Sequence, residues 1–239
     1  MGGMTPHPSV ALVTGASRGL GHALTTRLVA DDWHVVVDAR DGARLTAAAR
    51  SWPPGQVTAL PGDVADPAHR QDLTDAVASL GRLDLLVNNA SVLGPSPQPA
   101  LADYPLDVLE HVYSVNVFGP LALVQLLLPW LHTSSGRIVN VSSDAAVEAY
   151  AGWGGYGSAK AALDQVTAVL AAELPAVRVY AFDPGDMATD LQQQAFPDED
   201  VSDRADPGAV VPALLHLIRG DLVSGRYRAA DLLADEVRA

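Results

Sequence analysis

The sequence predicts a single doubly wound α/β domain, a parallel β-sheet covered by helices on both faces. Three observations carry this expectation. Short β-branched runs alternate with longer helical segments along the chain. The strand runs are mostly continuously apolar, as strands buried on both faces require. The 239 residues, 49% of them hydrophobic, suffice for one large α/β domain with a substantial core.

Strands are expected at Val10–Thr14, His34–Ala39, Val57–Leu60, Leu83–Asn88, Gly136–Ser142 and Val177–Asp183. Helices are expected near 19–31, 41–51, 67–80, 105–131, 154–173 and 207–219, the last opening on Pro207. This alternation calls for an open parallel sheet with right-handed crossovers. The helices near 105–131 and 154–173 carry more apolar residues than one face needs, Leu121 to Leu128 in one and Val166, Val169 and Leu170 in the other. Such helices are buried or lie in a subunit interface. Residues 186–206 lack a clear pattern and are read as either a disordered loop or a lid over a ligand, since ligands bind outside the carboxyl ends of the strands. Residues 1–239 therefore form one domain, with 1–8 a flexible N-terminus and 186–206 the substrate-loop region.

Composition narrows the function. The absence of cysteine excludes disulfides and thiolate metal sites, and no metal is expected. A formal charge of −13 argues against nucleic acid or an anionic membrane as partner. The longest apolar run, Val115 to Leu131, is broken by Asn116, Gly119, Pro120, Gln125 and Pro129, so no membrane span is expected. The N-terminus has neither the apolar run nor the positive flank of a signal peptide, and a cytoplasmic location is expected.

The chemistry is announced by one residue. Fourteen of the fifteen basic residues are arginine; the single lysine, Lys160, follows Tyr156 by one helical turn. An ammonium near a phenol favours the phenolate, which is expected to lower the Tyr156 pKa and make it a usable acid. The first strand runs into Thr14-Gly15-Ala16-Ser17-Arg18-Gly19-Leu20-Gly21, a glycine-rich strand-to-helix turn that lets a helix N-terminus approach a pyrophosphate. The second strand ends Asp38-Ala39-Arg40. Asp38 aimed at a ribose would favour NAD; aimed away, it would leave Arg18 and Arg40 to converge on the 2′-phosphate of NADP. NADP(H) is the expected preference, with NAD(H) the alternative.

Together these residues resemble the short-chain dehydrogenase/reductase family, over about residues 9 to 228. The resemblance implies a Rossmann-type domain with Asn116, Ser143, Tyr156 and Lys160 as catalytic residues. Ser143 lies thirteen residues before Tyr156, the family's interval. By the same resemblance Gly15, Ser17, Arg18, Gly19, Leu20, Gly21, Arg40, Asp63, Val64, Asn89, Ala90, Ser91, Pro184, Gly185, Met187 and Thr189 bind the cofactor, with Tyr156 and Lys160. Ser91 departs from the family's Asn-Asn-Ala-Gly segment, where glycine stands. The stretches Gly152 to Tyr156 and Thr189 to Gln193 resemble the sepiapterin reductase and benzil reductase branch, NADPH-dependent reductases of vicinal or α-substituted carbonyls. Ala229 falls where that branch's pterin-holding acid would be, which argues against a pterin. Leu93, Trp153, Met187 and Leu191, with Ser143 and Ala145, are the expected substrate walls. The family also implies a homodimer or homotetramer. The expected function is NADPH-dependent reduction of a small-molecule ketone or dione. An NAD-dependent alcohol dehydrogenase and a non-catalytic NADP sensor are the alternatives.

Overall fold

The computed structural model describes residues 8–236, so the expected flexible N-terminus lies, but for Pro8, outside the described residues. Seven parallel strands form one sheet: β1 (Val10–Val13), β2 (His34–Ala39), β3 (Val57–Pro61), β4 (Leu85–Asn88), β5 (Arg137–Val141), β6 (Arg178–Asp183) and β7 (Gly225–Arg228). Their order is β3-β2-β1-β4-β5-β6-β7. The chain winds outward from β1 to β3, then returns beside β1 with β4. Ala11 therefore pairs with Val35 on one side and Leu85 on the other. The reversal opens a crevice at the carboxyl ends of β1 and β4.

Alternate side chains of the central strands serve two cores. Ala11 and Val13 face a layer holding Leu24 and Leu28 of α1 (Gly19–Ala30), Leu45 of α2 (Gly42–Ala49), and Leu214 and Leu217 of a helix at Pro207–Arg219. Val10 and Leu12 face the other layer, with Leu73 and Val77 of α3 (Pro67–Leu80) and Leu123 and Leu127 from the segment 119–134. Each fully buried leucine contributes roughly 2 kcal/mol of apolar transfer energy. Local signals set the helix ends. Asp66 accepts from Ala68 N and Pro67 opens α3, while Gly81 closes it in the left-handed region.

The segment expected as one helix near 105–131 is three pieces: α4 (Leu106–Tyr113), a π-helical turn at Ser114–Phe118, and α5 (Gly119–Ser134). The wide turn brings the Asn116 carboxamide to the backbone of Val92, giving 2.9 Å bonds from Val92 N and to Val92 O. Leu106–Ser134 is long and apolar enough to cross a membrane by length and composition alone, a test that a buried core helix also passes. Here it packs on the sheet, with Leu123, Val124, Leu127 and Leu131 buried in the core.

The remaining helices are α6 (Gly154–Glu173), α7 (Asp190–Ala195), α8 (Pro207–Arg219) and α9 (Ala229–Glu236). The 186–206 region, which shows no pattern in sequence, contains α7, capped by the Thr189 hydroxyl accepting from Gln192 N. Met187 also bridges to Ala205 across its base. Strand β7 was not expected either. Its sequence, Gly-Arg-Tyr-Arg, has no apolar run, because it is an edge strand paired only with β6.

A buried polar chain ties α6 to the sheet. Asn88 Nδ2 donates to Asn140 Oδ1 at 2.7 Å, Asn140 Nδ2 donates to Thr167 Oγ1 at 2.8 Å, and Thr167 Oγ1 donates to Leu163 O at 2.7 Å. Removing the middle member leaves the buried Asn88 amide donor unpaired and takes from the Thr167 hydroxyl the donor it accepts from, while its own bond to Leu163 O stays. Asn140→Leu is expected to cost about 2–4 kcal/mol of stability in urea denaturation. A loss below about 0.5 kcal/mol would show that the chain does not hold the helix.

Candidate active site

A cleft of about 490 Å³ runs along the carboxyl edge of the sheet, from the β1–α1 turn to Tyr156 and α7. At the β1 end the backbone comes close to β4. Gly15 has φ +68°, and a Cβ there would lie 2.8 Å from Ala90 Cα. The Asn89 carboxamide donates to Thr14 O at 2.8 Å and Gly15 O at 3.1 Å, while Asn89 N and Ala90 N both donate to Thr14 Oγ1 at 3.0 Å. Gly15, Ser17, Arg18, Gly19 and Leu20 line the cleft, as do Asp63, Val64, Asn89, Ala90, Ser91, Pro184, Gly185, Met187 and Thr189. Gly21 does not belong to that lining. It is needed for packing, since a Cβ would fall 2.5 Å from Asn89 Nδ2.

The residues fit a dinucleotide. Arg18 caps α1 without a side-chain hydrogen bond, leaving the first N–H groups of the helix to face the cleft. Two buried atoms of lining residues, Ser142 Oγ and Gln192 Nε2, have no hydrogen-bond partner among the described residues.

The two orientations of Asp38 left open by the sequence resolve into one. Asp38 is almost fully buried. Its carboxylate accepts from Gly15 N at 2.7 Å and meets His69 Nε2 at 3.1 Å. Burial pushes its pKa up, against the opposing hydrogen bonds from His69 and Gly15. Asp38 thus braces the glycine turn, and the end of β2 presents the exposed Arg40 to the cleft. Arg18 and Arg40, expected to converge on the 2′-phosphate, both line the cleft. Arg18 pairs with Asp190 at the start of α7, and Arg44 joins it, its Nη1 donating to the same carboxylate oxygen at 2.9 Å. Arg44 was missed in sequence because it sits four residues beyond Arg40, inside α2, and reads as a surface charge.

At the other end of the cleft, Tyr156 and Lys160 lie one turn apart on α6, both buried. Lys160 Nζ donates to Val141 O at 2.7 Å and lies 5.5 Å from the centroid of the Tyr156 ring. The expectation that Lys160 lowers the Tyr156 pKa is corrected here. Burial dominates and pushes the phenol up to about 12, opposed by hydrogen bonds from Ser91 and Ser143. Burial likewise lowers Lys160 to about 8, with the Asp164 carboxylate acting in the other direction. Of the two serines it is Ser143, not Ser142, that acts on the phenol, favouring its ionised form. Its hydroxyl donates to Asp144 Oδ1 at 2.9 Å, and its carbonyl accepts from Arg226 Nη2 at 3.0 Å.

Arg226 is the second residue that sequence reading missed. From β7 it also binds Asp164 and Asp183, each at 3.0 Å, and so locks the β5 end, β6 and α6 around Ser143. Only the pairing of β7 with β6 brings it there, and no local signal marks it. Asn116 is fully buried and is not part of the cleft lining, because its carboxamide is taken up by Val92 and by Ser91 Oγ at 3.2 Å.

On the substrate side, Trp153, Met187 and Leu191 line the cleft. Trp153 meets the edge of Tyr156 at 5.9 Å and Phe196 at 5.8 Å between ring centroids. Leu93 and Ala145, expected as walls, pack behind Tyr156 in a small buried cluster and are not part of the lining.

Comparison with known proteins agrees with this geometry. The short chain dehydrogenase family model matches residues 9–200. The chain is 31% identical to a benzil reductase ((S)-benzoin forming) of Saccharomyces cerevisiae, over 96% of this chain and 87% of that protein. It is 35% identical to the sepiapterin reductase of Mus musculus, over 78% of this chain and 77% of that one. A short chain dehydrogenase from Shigella flexneri, solved in complex with NADP, superposes with a TM-score of 0.86 at 27% identity, covering 93% of this chain and 97% of that chain. The chain belongs to the short-chain dehydrogenase/reductase family, NAD(P)-dependent oxidoreductases.

The lowered Lys160 pKa has a consequence for folding. Its ordinary value is 10.5, and in the folded protein it is about 8. Between these values the unfolded chain binds the extra proton, so stability rises with pH. The raised Tyr156 phenol acts in the opposite sense above its ordinary value of 10.0, so the Lys160 window runs from about 8 to 10.0. Urea midpoints are expected to rise across that window in the wild type and to stay flatter in Lys160→Met. Equal slopes in the two proteins would exclude a lowered Lys160.

Proposed function

We propose that this protein is an NADPH-dependent reductase of small-molecule carbonyls, ketones or diones, working in the cytoplasm. The observation that carries this reading is the juxtaposition at the inner end of the cleft of a buried, protonated Tyr156 with the Ser143 hydroxyl and the Lys160 ammonium. Bound NADPH supplies the hydride. The substrate carbonyl oxygen accepts hydrogen bonds from Tyr156 Oη and Ser143 Oγ, which align it and stabilise the charge that develops there. As that charge grows, the Tyr156 O–H bond breaks and the proton passes to the oxygen, giving the alcohol and a phenolate. Lys160, anchored on Val141 O beside the phenol ring, stabilises the phenolate electrostatically.

The preference for NADPH is supported by the engaged carboxylate of Asp38 and by the arginines at that end of the cleft, Arg18, Arg40 and Arg44. Ala39, between Asp38 and Arg40, offers no acid to a ribose hydroxyl. Solved relatives from Shigella flexneri and Escherichia coli, in complex with NADP and NADPH, point the same way. The aromatic wall formed by Trp153 and Phe196 suits an aryl or dicarbonyl substrate, in line with the benzil reductase relative. Exposed Leu106, Phe118 and Val169 on the α4–α5 and α6 side support a two-fold homodimer or homotetramer built through those helices.

Two measurements test the reading. Benzil, isatin and an aliphatic 1,2-dione are offered with NADPH, and Tyr156→Phe is expected to lower kcat by about 10²–10⁴ while NADPH binding is kept. Turnover that survives the substitution would remove Tyr156 as the acid. Arg40→Ala is expected to weaken NADPH binding by roughly ten- to a hundredfold and leave NADH binding unchanged. An equal effect on both nucleotides would assign the 2′-phosphate to other residues.

A further inference from the structure

At the arginine end of the cleft one carboxylate oxygen serves two guanidinium groups. Asp190 Oδ2 accepts from Arg18 Nη1 and from Arg44 Nη1, the latter at 2.9 Å. Arg18 is the cap of α1, Arg44 lies in α2 and Asp190 opens α7, so the contact ties three helices together; all three residues line the cleft. The Asp190 carboxylate makes no other hydrogen bond among the described residues. The hydrogen bond from Arg44, with Arg18 beside it, holds the Asp190 carboxyl below its ordinary range, so it is ionised at neutral pH.

We propose that Asp190 sets the cofactor specificity as a built-in competitor: it holds Arg18 and Arg44 until the 2′-phosphate of NADPH displaces it. The inference rests on the reading that this end of the cleft receives the 2′-phosphate. A guanidinium grips a phosphate with two nitrogens along one edge, Nε with Nη2 or Nη1 with Nη2. In Arg44, Nε lies 3.4 Å from Asp41 Oδ2 and Nη1 is given to Asp190, so neither edge is free. Asp41 is not the one to give way, because it caps α2, its Oδ1 accepting from Arg44 N at 3.0 Å. Asp190 has no such tie. Its own helix is capped by Thr189, whose hydroxyl accepts from Gln192 N at 3.3 Å.

Charge decides the direction of the exchange. A phosphate monoester carries about 1.5 to 2 negative charges at neutral pH and three acceptor oxygens, against one charge on a carboxylate. Arg40, exposed at the same end, pairs with no acid among the described residues and gives the incoming phosphate a first contact. The displaced Asp190 side chain is already more than half exposed, so it turns to water at little cost. A ribose hydroxyl is uncharged and leaves the arginines with Asp190. Asp190 therefore weakens the binding of NADPH, leaves that of NADH alone, and sets how far the site discriminates between them.

The test needs neither substrate nor turnover. Adenosine 2′,5′-bisphosphate and adenosine 5′-monophosphate differ only in the 2′-phosphate. Both are titrated by calorimetry into wild type, Asp190→Asn, Arg44→Gln and the double variant. Asp190→Asn is expected to tighten the bisphosphate by about three- to tenfold and to change the monophosphate by less than about twofold. In the Arg44→Gln background that gain is expected to shrink, since the contested guanidinium is gone. No gain, a gain equal for both nucleotides, or a gain undiminished by Arg44→Gln overturns the proposal. Wild type that binds both nucleotides equally counts against the NADPH reading, and the variant still decides the competition: a preference for the bisphosphate that emerges in Asp190→Asn upholds it, and no preference overturns it.

Discussion

Where β4 returns beside β1, two halves of the sheet that wind in opposite directions must meet without closing the crevice between them. The Asn89 carboxamide and the Thr14 hydroxyl do this with four hydrogen bonds between the glycine turn and the end of β4. The contact is so close that side chains at Gly15 or Gly21 would strike Ala90 or Asn89. Asp38 completes it from the other side by accepting from Gly15 N, with His69 holding the carboxylate. The start of α1, the segment after β4 that carries Ser91 and Val92, and through Val92 the π turn with Asn116, all take their positions from this junction.

The catalytic end is built on a cost of a different kind. A lysine and a tyrosine are both buried, and burial moves each pKa toward the neutral form. The fold offsets part of that cost with the Val141 carbonyl under the ammonium and serine hydroxyls around the phenol. The result is a phenol held in its protonated form, beside hydroxyls that favour the ionised one. Arg226 extends the pattern, holding Asp164, Asp183 and the Ser143 carbonyl in one network, so an edge strand of polar residues fixes the geometry of the β5 end.

The nucleotide end is arranged around arginines in an otherwise acidic chain. With a formal charge of −13, the protein surface repels anions in general, and Arg18, Arg40 and Arg44 make one local exception along the cleft. Asp190 of α7 meets two of them, which couples the loop over the cleft to the end where the nucleotide phosphates are expected. These pairs are more than half exposed, and their contribution to stability is correspondingly small.

The fold class, six of the seven strands, the helix at Gly154–Glu173 and the Tyr156–Lys160 pair were legible in sequence because their signals are local: apolar runs, helical spacing, a glycine turn, a unique lysine. The residues that the tertiary structure alone decided carry no such local signal. The direction of Asp38 depends on Gly15 and His69, 23 and 31 residues away. Arg226 acquires its role through strand pairing, 43 residues from Asp183. Ser91 reads as a small departure from a glycine until the π turn brings Asn116 against it, and the phenol pKa follows from burial, which no spacing reveals. The sequence by itself determined which groups are available for chemistry, since their identity is covalent. The tertiary structure decided which of them meet, because hydrogen bonds and desolvation depend on distances that only the packed chain sets.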